Sequence, residues 1–161
     1  MLRILRASFT KLSAPLLLVG LAVLLNTTSV QAQSPITINP VGTANPYPST
    51  INISGRTGVV SKVTVTLTGF SHVFPDDVDI MLVAPNGASA IILSDVGGEF
   101  TTEDVNITLD DAAATALPDE GQIVSGTYLP TNFEPGDPFA PPAPSTSANT
   151  ALATFNGINP N

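Results

Sequence analysis

The sequence predicts an all-β fold, an antiparallel β-sandwich, and three observations carry that reading. No stretch after Gln33 has the spacing of a long amphipathic helix. Short runs of Val, Ile, Leu and Thr recur instead, several alternating apolar and polar residues at the period of a strand. Gly, Pro, Asn and Asp punctuate these runs roughly every 8–15 residues, the spacing of turns in a sandwich.

The N-terminus is set apart from that pattern. Arg3, Arg6 and Lys11 form a basic start, residues 15–25 are almost wholly apolar, and Val30-Gln31-Ala32 places small residues where a signal peptidase cuts. The apolar run falls short of an ordinary membrane span by roughly 7–10 residues. Residues 1–32 are therefore expected to be a signal peptide, residues 33–44 a linker, and residues 45–161 a single domain, secreted or at the cell surface.

The elements follow in order. Residues 49–54 hold Ile51 and Ile53 at period two, and 59–67 set Val63, Val65 and Leu67 against Lys62, Thr64 and Thr66. Residues 77–83 put Val78, Ile80 and Leu82 on one face. Ala84-Pro85-Asn86-Gly87 then reads as a hairpin turn, because Asn and Gly tolerate positive φ, so 77–83 and 90–93 should pair antiparallel. Gly97-Gly98 marks a further reversal before a strand at 105–109 with Val105, Ile107 and Leu109 inward. Residues 110–117 suggest one helical turn stopped at Pro118, and 122–128 and 151–155 are weaker strands. The 130–150 stretch has six prolines and no continuous apolar run, which predicts a long surface loop.

Charge and composition narrow the function. Without the leader, Arg56 and Lys62 stand against 13 acidic side chains, so phosphate backbones and anionic membrane surfaces are excluded as partners. The absence of cysteine removes disulfides, thiolate metal sites and cysteine nucleophiles. His72 is the single histidine, so zinc catalysis lacks ligands, and no Gly-Thr-Ser nucleophile signature accompanies it. Its expected role is structural, a donor to a nearby carboxylate or carbonyl.

The acidic residues suggest a hard cation. Asp76, Asp77 and Asp79 cluster at a strand entry, where a turn can aim several oxygens at one point, as calcium sites of extracellular modules do. Asp95, or Asp110 and Asp111, stand at other strand ends and could complete such a site. The competing reading is local: Asp side chains bonding backbone N–H groups to shape turns. A glycosidase carboxylate pair would want sugar-stacking aromatics, and the chain has no Trp and two Tyr.

The run Gly69-Phe70-Ser71-His72-Val73-Phe74-Pro75-Asp76-Asp77-Val78-Asp79-Ile80-Met81-Leu82-Val83-Ala84-Pro85-Asn86-Gly87 resembles the P domain, or Homo B domain, of subtilisin-like proprotein convertases. Leu93-Ser94-Asp95, Asp110-Asp111-Ala112-Ala113, Ser125-Gly126-Thr127-Tyr128 and Phe155-Asn156-Gly157 extend the likeness, in the form found in bacterial exported proteins. It covers roughly residues 45–161. The resemblance implies a jelly-roll, galactose-binding-like sandwich whose last strands, around the family's Gly-x-Trp-x-Leu segment, are missing. It also implies a non-catalytic accessory or interaction module that packs on a serine protease or another extracellular protein. Any protease on the same polypeptide is expected downstream. The alternatives are the leading part of a larger secreted serine endopeptidase, or a carbohydrate-binding sandwich using Tyr128, Phe133 and Phe139.

Overall fold

The computed structural model describes residues 34–145 and 147–161, together with three short strands, Arg3–Ile4 (β1), Arg6–Phe9 (β2) and Thr28–Gln31 (β3). The rest of the expected signal segment lies outside the described residues. β1 pairs antiparallel with β4 (Val65–His72), and β2 pairs with β3. The remaining strands are β5 (Ile80–Val83), β6 (Ser89–Ser94), β7 (Thr102–Leu109), β8 (Gly126–Tyr128) and β9 (Thr131–Asn132). Two 3-10 turns, Pro75–Asp77 and Leu152–Phe155, are the helical elements among the described residues, so the protein is all-β.

The larger sheets run β1-β4-β7-β8 and β5-β6-β9. Pairing is antiparallel between β4 and β7 and between β5 and β6, but β8 lies parallel to β7 and β9 parallel to β6. The sheets are therefore mixed, which corrects the expectation of purely antiparallel pairing. The cause is connection length: residues 110–125 and 95–130 are long enough to return a later strand alongside in the same direction, which a tight hairpin cannot do.

Local chemistry accounts for the elements that form as expected. The β5–β6 hairpin turns at Ala84-Pro85-Asn86-Gly87, where Gly87 N–H donates to the Ala84 carbonyl at 2.9 Å and Gly87 takes φ 86°. In β4, Val65 and Leu67 are buried while Thr68 is exposed, and in β7 Ile107 and Leu109 face the same interior.

Elsewhere the strands are shorter than their apolar runs. Residues 49–54 form a loop, although Ile51 still packs against the core. The 77–83 strand begins at Ile80, because Pro75 opens a 3-10 turn over Pro75–Asp77. Residues 151–155 form a 3-10 turn rather than a strand, since Asp111 caps the N–H groups of Leu152 and Ala153. Residues 110–117 make a turn, with Ala113 N–H donating to Asp110, and no helix.

Both larger sheets contribute to the core. Val65, Leu67 and Phe70 of β4, Ile107 and Leu109 of β7, and Ile92 and Leu93 of β6 form one buried cluster with Ile123, Leu152 and Phe155. Burial of each such side chain contributes about 1.5–3 kcal/mol. Ile36 joins the cluster from the segment before residue 45, and Thr37 bridges Asn45. Ile91 is buried outside the cluster, and its N–H donates to the Asn149 carbonyl at 2.8 Å.

Candidate metal centre

One end of the β5-β6-β9 sheet gathers oxygen atoms, and the topology explains why. β5 runs opposite to β6 and β9 runs with it, so the start of β5 and the ends of β6 and β9 share an edge. Asp79 immediately precedes β5, Ser94 closes β6 with Asp95 after it, and Asn132 closes β9 opposite Ser94. The proline-rich segment beyond β9 then brings in Asp137. Asp79, Asp95 and Asp137 each place a carboxylate oxygen within 4.8 Å of the others.

Ser94 sits between two of them. Its hydroxyl lies 2.6 Å from Asp79 Oδ1 and 2.9 Å from Asp95 Oδ2. One hydroxyl proton serves one carboxylate at a time. The Glu134 N–H donates to Asp95 Oδ2 at 3.3 Å. Asp95 takes φ 52°, a left-handed conformation that Asp tolerates and that turns the chain sharply off the strand.

Two oxygens at this sheet end are orphans. Asp137 Oδ2 and Asn132 Oδ1 are buried and meet no hydrogen-bond donor among the described residues. A buried acceptor without a partner costs about 1–3 kcal/mol, more when charged. The carboxyl groups respond accordingly. Burial raises the pKa of Asp79, the charges of Asp137, Asp95 and Asp77 raise it further, and the Ser94 bond only partly opposes them. Asp76 is also raised, by burial first and then by the charges of Asp95, Asp77 and Asp119.

A divalent cation among the three carboxylates would offset their mutual repulsion and give Asp137 Oδ2 a partner. The donor set is oxygen only, three carboxylates, which suits calcium or magnesium and not zinc or copper. The residues present fit such an ion.

Of the residues singled out from sequence, Asp79 belongs to this group, and Asp95 joins it. Asp76 and Asp77 lie on the neighbouring 3-10 turn and are not members of it. Asp110 and Asp111 work elsewhere: Asp110 pairs with Lys62 at 2.7 Å, and Asp111 caps the Leu152–Phe155 turn. Sequence reasoning missed Asp137 and Asn132. Asp137 stands in a proline-rich segment whose other carboxylate is Glu134, and that scarcity of charge was its one available signal.

The other candidate chemistry is placed differently. His72 Nδ1 lies 2.6 Å from the Phe74 carbonyl and 3.3 Å from the Phe74 N–H, so the ring braces its own turn. Ser125 Oγ accepts the Asn106 N–H at 2.9 Å. The Tyr128 hydroxyl donates to the Val124 carbonyl, Phe133 is exposed and Phe139 half-buried. No helix among the described residues is long and apolar enough to cross a membrane. No family model matches the chain, and neither a curated protein nor a solved structure does.

Proposed function

We propose that this chain is an exported, non-catalytic β-sandwich module, in the jelly-roll arrangement of P/Homo B domains, whose fold is completed by a calcium ion. Its role is that of an accessory or interaction domain of the type associated with subtilisin-like serine endopeptidases. One observation carries the calcium reading: three carboxylates converge within 4.8 Å, and one of them, Asp137, keeps a buried oxygen with no donor. The resemblance of residues 69–87 to the P-domain passage supports the accessory role, and Asp79 lies inside that passage.

The test is thermal unfolding of the purified protein across a calcium titration. A ligand that binds only the folded state adds about 1.4 kcal/mol for each tenfold rise in concentration above its Kd, so Tm should climb steadily through the millimolar range. Asp79→Asn and Asp95→Asn should flatten that climb. An unchanged Tm up to about 10 mM calcium would remove the ion from the proposal.

A further inference from the structure

Residues 33–161 carry two basic side chains, Arg56 and Lys62, and so offer a protease that reads Arg or Lys two peptide bonds. Their surroundings differ. Residues 54–59, three on either side of the Arg56–Thr57 bond, are all exposed and lie in no strand. Exposed loop segments of small and polar residues are the preferred sites of proteolytic nicking. Gly55 and Gly58 flank the bond with φ 68° and φ 95°, and glycine can leave those conformations for an extended one at little cost. Around Lys62, in contrast, Val60, Val63 and Val65 are buried in the core, and Lys62 itself pairs with Asp110 at 2.7 Å. Val60 is further anchored by backbone bonds of 2.8 Å to Ile158 and Gly157. Residues 54–59 can therefore be drawn into a protease cleft with the core intact, whereas the residues around Lys62 cannot.

One side chain spans the residue at the cut. Asn161 Oδ1 accepts the Arg56 N–H, and Asn161 Nδ2 donates to the Arg56 carbonyl, both at 2.8 Å. The same Nδ2 donates to Asn159 Oδ1 at 2.7 Å, which steadies the amide. A serine-type protease must take the carbonyl oxygen of the bond it cleaves into its oxyanion hole. Asn161 donates to that same oxygen and so competes with the protease for it.

We propose that the Arg56–Thr57 bond is a processing site for an arginine-specific serine-type endopeptidase, guarded by Asn161, and that cleavage leaves a two-chain protein. One water is consumed: the C–N bond breaks, Arg56 ends in a carboxylate and Thr57 begins with an ammonium group. The segment before the cut stays docked, because Ile36, Ile38, Ala44 and Ile51 pack against the core and the Tyr47 hydroxyl donates to the Ala140 carbonyl.

Trypsin digestion of the native protein, followed by intact-mass spectrometry, tests this. Cuts at Arg3, Arg6 and Lys11 fall before residue 33 and are told apart by mass. Each rate is scaled to that of a short peptide spanning the same bond. The nick after Arg56 should run more than about tenfold faster than the cut after Lys62, since local opening is cheaper than unfolding the core. The two pieces should elute together on a sizing column. Asn161→Ala removes two hydrogen bonds and should speed the Arg56 nick about tenfold while leaving the Lys62 rate unchanged. Arg56→Gln, which keeps the backbone bonds to Asn161, should abolish the nick. No nick after Arg56, or equal scaled rates at Arg56 and Lys62, overturns the site. A nick that Asn161→Ala does not accelerate overturns the guard, and pieces that separate overturn the two-chain form.

Discussion

Asp111 holds Leu152 in place across the fold: its Oδ1 accepts the Leu152 N–H at 2.9 Å, while Oδ2 accepts the Ala153 N–H at 2.7 Å. These are the first N–H groups of a 3-10 turn whose own N-cap residue, Ala151, has no side chain to offer them. The turn in turn buries Leu152 and Phe155 against the core. A carboxylate distant in sequence thereby does the work of a local cap. Asp111→Ala should cost about 1–2 kcal/mol, read as a lower midpoint in urea at unchanged slope. A loss within about 0.3 kcal/mol would mean that water caps this turn equally well.

Gly87 and Gly97 have nearly the same backbone, φ 86° and φ 87°, in different surroundings. A Cβ on Gly87 would meet nothing within 4 Å, so Gly87→Ala should cost only the left-handed strain, about 1 kcal/mol. A Cβ on Gly97 would lie 2.8 Å from Ile123 Cδ1 and 3.2 Å from Pro75 Cβ, and Ile123 is buried. Gly97→Ala should therefore cost about 2–3 kcal/mol, the excess being overpacking. Equal losses for the two variants in denaturant titration would contradict the tight contact at Ile123.

Ser94 is the residue through which the metal centre can be tested without removing a ligand. Its buried hydroxyl lies within hydrogen-bond range of both Asp79 and Asp95. Ser94→Ala should destabilise the protein by about 1–2 kcal/mol in EGTA, because it removes the hydroxyl donor that lies between the two carboxylates. In excess calcium the loss should shrink, since the ion then neutralises the same charges. Thermal unfolding of both proteins under both conditions measures this coupling, and an identical loss in the two buffers counts against an ion at this position.

Asp110 gives the pH dependence a sign. Burial works to raise its pKa, but the Lys62 hydrogen bond, the Ala112 N–H and the Lys62 charge outweigh it and hold the carboxyl below its usual 3.8. A carboxyl depressed in the folded state stabilises fully above its unfolded value and loses that contribution as pH falls through the folded value. With the Lys62 side chain 45% exposed, the pair is worth about 0–1 kcal/mol after solvent screening. Lys62→Met should thus be slightly less stable than the parent at neutral pH, and the difference should close below about pH 3.8. A gap that persists unchanged in acid would assign the effect to packing of the lysine stem.

These residues also show what was readable in advance. The Ala84–Gly87 turn was legible because its geometry is set by the residues that form it: Gly87 supplies the positive φ, and Asn86 Oδ1 accepts the Ala88 N–H. Alternation identified β7 for a similar reason, each side chain reporting its own face. Residues 49–54 and 151–155 carry apolar residues at comparable spacing but form no strand. Their fate depends on distant partners: residues 151–155 on the Asp111 cap, and 49–54 on having no ladder beside them. The mixed pairing was equally hidden, because strand direction is decided by where a long connection returns and not by the strand's own pattern.

By itself, the sequence determined the all-β character, the hairpin, the proline-rich surface segment and the acidic balance, and it offered Asp76, Asp77 and Asp79 as candidate ligands, with Asp95 or Asp110 and Asp111 to complete them. Each of these follows from residues acting on their immediate neighbours or from composition. Tertiary structure alone decided that Asp137 stands beside Asp79 and Asp95 rather than apart from them, and that Asp110 and Asp111 serve as an ion-pair partner and a remote cap. The physical reason is that this acidic group forms where strand ends meet a loop from farther along the chain. Backbone ladders between β5 and β6 bring Asp79 and Asp95 together, the segment beyond β9 adds Asp137, and no spacing along the chain encodes the distances they close.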